Sequence, residues 1–126
     1  MRAVDTNVIV RLLTGDDSKQ VAAAEQFVAR GAWVSLLAVA ETTWVLRSVY
    51  KVSPAEIVRI VEMLLDHKDL TVQDSDVVAE ALTTFRKRPA LSFSDCLLLE
   101  LARKAGQLPL GTFDRTLGKV PGAVRL

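Results

Sequence analysis

The chain has one cysteine and one histidine. Cys96 alone excludes an internal disulfide and a cysteine-based zinc site, and His67 alone excludes a histidine cluster. Any metal must be held by oxygen. Long apolar runs are missing too: none approaches the ~20 residues a membrane span needs. Residues 1–13 run into patterned sequence without a basic leader or a small-residue cleavage site, so the expectation is a soluble cytoplasmic protein with no membrane partner. An excess of either charge is also lacking. Sixteen basic side chains stand against 15 acidic ones, which excludes coating nucleic acid by bulk charge. Half of the residues are hydrophobic, which excludes disorder. No repeat, low-complexity tract or linker interrupts the pattern, so the 126 residues are expected to form a single domain, 1–126.

What is present alternates between short strands and helices. "RAVDT" reads as a strand. "DDSKQVAAAEQFVARG" reads as an amphipathic helix, capped by Asp17 and stopped by Gly31. "AWVS" is a second strand, followed by "LLAVAETTWVLRSVY", a helix apolar on nearly every side and therefore expected to be packed centrally. Ser53, Pro54 and Glu56 form a capping box with proline at the first helical position. "DLTVQ" is a third strand, Asp74 caps "SDVVAEALTTFRKR", Pro89 closes it, and "FSDCLLLELARKAG" leads to a fourth strand, "LPLGT". Strands separated by helices imply an α/β fold, a mostly parallel central sheet of four to five short strands flanked by helices.

The chemistry lies in the acids. In "MRAVDTNVIVRLL", Asp5, Thr6 and Asn7 interrupt an apolar segment, where an ionised carboxylate needs compensation. On a helix, residues three and four apart share a face. Glu41 then sits among Leu37, Ala38, Trp44 and Val45, and Asp95 among Leu98, Leu99 and Ala102. Glu100, beside Arg103 and Lys104, reads as a surface charge. Glu25 also lies among apolar neighbours, with nothing else to recommend it. In open parallel sheets the ligand crevice lies at the carboxyl ends of the strands, where Asp5 and Asp114 fall and where the first turn holding Asp95 would point. Plainer roles stay open: a turn residue for Asp5, a favourable dipole position for Asp95 after a Ser92 cap, and a turn acid beside Thr112 for Asp114.

The order is Asp5-Thr6-Asn7 after the first strand, Glu41 in the helix after the second, Asp95 opening a late helix, and Thr112-Phe113-Asp114 after a late strand. It resembles the PIN-domain ribonucleases, most closely the VapC-type toxins of prokaryotic toxin–antitoxin pairs, over essentially the whole chain. The resemblance implies a three-layer PIN-like fold in which Asp5, Glu41, Asp95 and Asp114 bind Mg²⁺ or Mn²⁺ and serve catalysis. Asn7 and Thr112 would hold a carboxylate or a water in place, with Thr6 in support and Ser94 of little weight. A hard divalent ion suits such oxygen donors and would compensate Asp5. The implied activity is endonucleolytic hydrolysis of RNA, and the implied partner is a small antitoxin.

RNA also needs cations. Arg86, Lys87 and Arg88 form the densest basic run, and Arg115 follows Asp114; the plainer reading of the run is a helix end that welcomes positive charge. Trp33 and Trp44 read as core residues. The surplus of aliphatic side chains on helices 18–30 and 53–66 suggests an interface and a homodimer. Three other classes fit the sequence less well: a receiver-like signalling domain, a PIN fold that binds without cutting, and a haloacid-dehalogenase-type phosphatase. The receiver lacks paired acids after its first strand, the intact set of four acids argues against the silent module, and the phosphatase lacks its second aspartate.

Overall fold

A computed structural model describes residues 1–126. The chain divides into two compact units, Met1–Ser75 and Asp76–Leu126, with no linker at the division, since a helix begins there.

The first unit holds β1 (Arg2–Ala3), α1 (Thr6–Thr14), α2 (Ser18–Val28), β2 (Ala32–Val34), α3 (Leu36–Ser48), α4 (Pro54–Asp66) and β3 (Leu70–Val72). Its sheet has the order β1-β2-β3 with both pairings parallel, Ala3 opposite Trp33 and Trp33 opposite Thr71. Ala32 and Val34 are fully buried, and Trp33 between them faces outward, as the two-residue period of a strand dictates.

The segment after the first strand departs from expectation. "RAVDT" shortens to Arg2–Ala3, and "TNVIVRLLT" is a helix rather than a continuation of an extended apolar segment. Local signals decide this. The Asp5 carboxylate accepts a hydrogen bond from the Val8 backbone N–H at 3.1 Å, an N-cap. At the other end Gly15 adopts φ 65° and donates its N–H to the Arg11 carbonyl, the left-handed stop that glycine allows. Ile9 and Val10 are buried on the inner face. Asp5 itself is exposed, so the premise of a carboxylate buried in an apolar strand does not hold.

Side-chain caps set the other helices of this unit, at Asp17 and Ser53 as expected and at Ser35, which the sequence pattern places in the preceding strand. Asp17 accepts from Gln20 N–H, Ser35 from Ala38 N–H and Ser53 from Glu56 N–H. Helix α2 ends at Val28, and Gly31 follows in a left-handed turn at φ 90°. Helix α3 is not surrounded. Ala38, Val39, Thr42, Thr43 and Leu46 are buried, but Leu37 and Trp44 are 68% and 64% exposed. The expectation of two core tryptophans is therefore corrected at both positions, Trp33 being 36% exposed.

The second unit contains α5 (Ser75–Lys87), α6 (Phe93–Lys104), β4 (Leu110–Thr112), a single 3-10 turn (Leu117–Lys119) and β5 (Ala123–Arg125). Strands β4 and β5 pair in parallel as a separate two-stranded sheet. All strand pairs are thus parallel, and the strands are grouped three and two. Phe85 and Phe93 pack edge to face with ring centroids 5.7 Å apart. Ser92 caps α6 by accepting from Asp95 N–H. Glu100, read as a surface charge, is buried, because Arg103 neutralises it at 3.2 Å. Arg103 also donates to the Pro121 carbonyl at 2.9 Å, tying α6 to the approach of β5.

Candidate functional site

The first unit supplies Asp5, Thr6, Asn7 and Glu41. Asp5 caps α1 with one oxygen, which leaves its other oxygen for a ligand. Thr6, the first residue of α1, donates its hydroxyl to Glu41 Oε2 on α3 at 2.9 Å. That bond brings the start of α1 and the middle of α3 together, and it places a second carboxylate one residue from the first. Asn7 is exposed and its carboxamide has no hydrogen-bond partner. Glu41 is exposed as well, and its apolar neighbours Leu37 and Trp44 share that exposure. The pattern of apolar neighbours had suggested a buried face; what it marks is an open apolar surface around an acid.

The second unit supplies Asp95, Thr112 and Asp114. Asp95 is half-buried in the first turn of α6, where the helix dipole favours its charge. Asp114 is exposed, between β4 and the 3-10 turn. Its backbone N–H donates to the Thr112 hydroxyl at 3.0 Å, and its Oδ2 accepts from Leu117 N–H at 2.7 Å. Thr112 therefore braces the acid through the backbone. Phe113, between them, is 80% exposed.

The four candidate acids are among the carboxylates without an ion-pair partner, as are Asp17, Glu25, Asp66, Asp69 and Glu80. Protein cations pair with other carboxylates: Arg11 with Asp16, Arg59 with Glu56, Arg103 with Glu100 and Lys104 with Asp76. None of Asp5, Glu41, Asp95 or Asp114 has an ion-pair partner. No group of three carboxylate, histidine or cysteine side chains that could hold a metal ion is gathered. In the first unit the Asp5 and Glu41 carboxylates are exposed oxygen donors without a protein cation, the donor type a hard divalent cation retaining its water takes.

The basic candidates differ among themselves. Arg86 and Lys87 lie exposed in the last turn of α5, where the helix dipole welcomes them, and Arg88 is half-buried just beyond. Arg115 is exposed next to Asp114. Two aromatics that sequence reasoning had placed in the core or passed over, Trp44 and Phe113, stand in solvent beside Glu41 and Asp114. For Trp44 the sign was present: it lies three residues beyond Glu41, on the same helix face.

One buried side chain near Asp95 takes no part. The Cys96 thiol is 1% exposed, and burial, aided by the charges of Asp95 and Glu100, pushes its pKa up to about 12. It is a small apolar group at neutral pH.

The PIN domain model matches residues 2–123, and the chain belongs to the PIN-domain family, whose members are generally metal-dependent nucleases. No curated protein and no solved structure matches the chain. No helix is long and apolar enough to cross a membrane.

Proposed function

We propose that this protein is a metal-dependent endoribonuclease, that Asp5, Glu41, Asp95 and Asp114 are its metal-binding acids, and that it is the toxin of a toxin–antitoxin pair. The observation that carries the reading is the PIN-domain match over residues 2–123, and the Thr6–Glu41 bond, which joins the helix capped by Asp5 to the helix bearing Glu41, supports it. When bound, Mg²⁺ or Mn²⁺ would lower the pKa of water and stabilise charge on the leaving oxygen. The chain's own residues orient the donors. The α1 cap fixes one oxygen of Asp5, the Thr6 hydroxyl fixes one oxygen of Glu41, Leu117 N–H fixes one oxygen of Asp114, and the Thr112 hydroxyl accepts from Asp114 N–H; Asn7, expected to brace a carboxylate, makes no such bond.

RNA as substrate is supported by Trp44 and Phe113. An exposed aromatic beside a candidate acid in each unit offers bases a stacking platform, which single strands accept irrespective of sequence. The antitoxin reading is supported by an apolar cleft of about 330 Å³ in the first unit, lined by Leu12, Leu13, Val28 and Met63 and edged by Glu25, His67 and Asp69. Apolar walls with acidic edges suit a partner segment carrying aliphatic and basic side chains. This gives Glu25 a place at a partner surface rather than among the catalytic acids. A second copy of the chain, expected from the aliphatic surplus on helices 18–30 and 53–66, remains part of the proposal.

The test is incubation of total RNA with the purified protein and Mn²⁺. Discrete cleavage ends are expected, absent with EDTA and absent for Asp5→Asn. Cleavage by Asp5→Asn at the wild-type rate would refute the assignment of the acids. Growth arrest on expression, relieved by the neighbouring reading frame, tests the toxin role separately.

A further inference from the structure

A second recess in the first unit lies against Asp5. It is a cleft of about 420 Å³ between α1 and α2, bordered by Asp5, Asn7, Val8, Gln20, Ala23 and Phe27. We propose that it is a nucleobase site, holding one base of single-stranded RNA next to the bond that is cut. The inference rests on the nuclease reading only for that last clause; the cleft's own chemistry carries the rest.

A nucleobase has flat apolar faces and a polar edge, and the cleft has both counterparts. Val8, Ala23 and Phe27 supply carbon surface. Asn7 supplies a carboxamide that no protein group engages, with one acceptor and two donors in the plane suited to a base edge. The oxygen of Gln20 is taken by Arg11 Nε, which leaves the Gln20 amide N–H groups as further donors. Arg11 is itself held by Asp16 at 3.1 Å, so it frames the cleft rather than competing for the ligand. The volume lies within the range of small-molecule sites.

The cleft also adjoins positive charge. Ala23 and Phe27 border a second depression of about 310 Å³, shared with Arg2 and Arg30. Arg2 lies over the Phe27 ring at 3.8 Å and donates to the Phe27 carbonyl at 3.4 Å, so its guanidinium is fixed against the aromatic wall. Arg30 is exposed and has no carboxylate partner. A fixed and a free guanidinium beside an apolar cleft match the phosphate and base of one nucleotide. An apolar peptide would use the carbon walls but leave the carboxamide and both arginines without a role.

The test uses binding, with no metal and no turnover. Amide resonances of the ¹⁵N-labelled protein are followed while adenosine 5′-monophosphate, cytidine 5′-monophosphate or ribose 5-phosphate is added. Both nucleotides should shift Val8 and Gln20, which lie outside the depression shared with Arg2 and Arg30; ribose 5-phosphate should shift only the surroundings of Arg2 and Arg30, Ala23 and Phe27 included. Ala23→Trp, whose ring fills the cleft from an exposed position, should abolish the base-dependent shifts. It should also weaken a short oligoribonucleotide by about tenfold, leaving the Mn²⁺-induced rise in Tm unchanged; Ala23→Leu is the smaller substitution should the tryptophan prevent folding. Equal shifts from ribose 5-phosphate, or full oligonucleotide affinity in both folded variants, would overturn the cleft. Base-dependent shifts in a protein that cuts no RNA would support the cleft and remove the nuclease reading. Cleavage without base-dependent shifts would do the reverse.

Discussion

The Thr6 hydroxyl donates to Glu41 Oε2 at 2.9 Å, joining the first residue of α1 to the exposed acid of α3. The bond restrains the carboxylate and leaves its second oxygen uncommitted. Thr6→Val keeps the shape and removes the donor, so Glu41 is free to rotate. Metal-dependent cleavage should fall about tenfold, in line with the usual strength of a hydrogen bond to a charged group. Thr6→Ser should retain most of the activity. Equal rates for Thr6→Val and wild type would mean that Glu41 is positioned by something else.

Asp5 carries two duties that substitution separates. As the N-cap of α1 it accepts Val8 N–H, a role asparagine fills about as well and alanine does not. Asp5→Asn should therefore melt close to wild type while losing cleavage, and Asp5→Ala should lose cleavage and about 1 kcal/mol of stability besides. Thermal melts of the two variants, read beside their activities, check this. Equal melting of both variants would remove the cap from the account.

The alkaline limb of stability should bear the mark of Cys96. Burial raises its folded pKa to about 12 from the ordinary 9.0 of a thiol, so the unfolded chain releases the proton first. The stabilisation is complete below pH 9, and it falls as pH rises from 9 towards 12. Denaturant melts of wild type and Cys96→Ala across that range should converge as pH rises, because alanine has no proton to lose. A constant difference would show that the thiol ionises alike in both states. At neutral pH the thiol should resist disulfide reagents until the protein unfolds.

The legibility of this fold followed its caps. Helices α2, α3, α4 and α6 begin where Asp17, Ser35, Ser53 and Ser92 provide an acceptor for an otherwise free N–H, and such residues can be read directly. Helix α1 has the same device in Asp5, but Val8, Ile9 and Val10 form a β-branched run that imitates a strand, and nine residues are too few for periodicity to arbitrate. Strand β5 has three residues, half-buried or exposed, so its own pattern announces nothing. It exists because β4 is there to pair with it. The identities of the candidate acids were legible from their order; their exposure was not. Apolar neighbours at helical spacing imply a buried surround, and around Glu41 they are Leu37 and Trp44 in solvent. Glu100 erred in the opposite direction, since the basic neighbour that suggested solvent is the partner that permits burial.

The most direct test of the site needs no RNA. Asp5, Glu41, Asp95 and Asp114 carry negative charge without a protein cation, and a divalent ion that they bind stabilises the folded chain over an unfolded one that lacks the site. Adding Mn²⁺ should raise Tm in a concentration-dependent way, and Mg²⁺ should need higher concentrations because it gives up its water reluctantly. Calcium-free buffers and a matched ionic strength remove general screening from the comparison. Glu41→Gln is the informative variant. Its amide oxygen still accepts from Thr6, so the link between α1 and α3 survives while one unit of charge is lost. Without metal it should melt at or slightly above wild type, and its response to Mn²⁺ should be blunted. A variant that melts lower without metal and responds to Mn²⁺ as wild type does would make Glu41 a structural residue, and would leave the ion to the three aspartates.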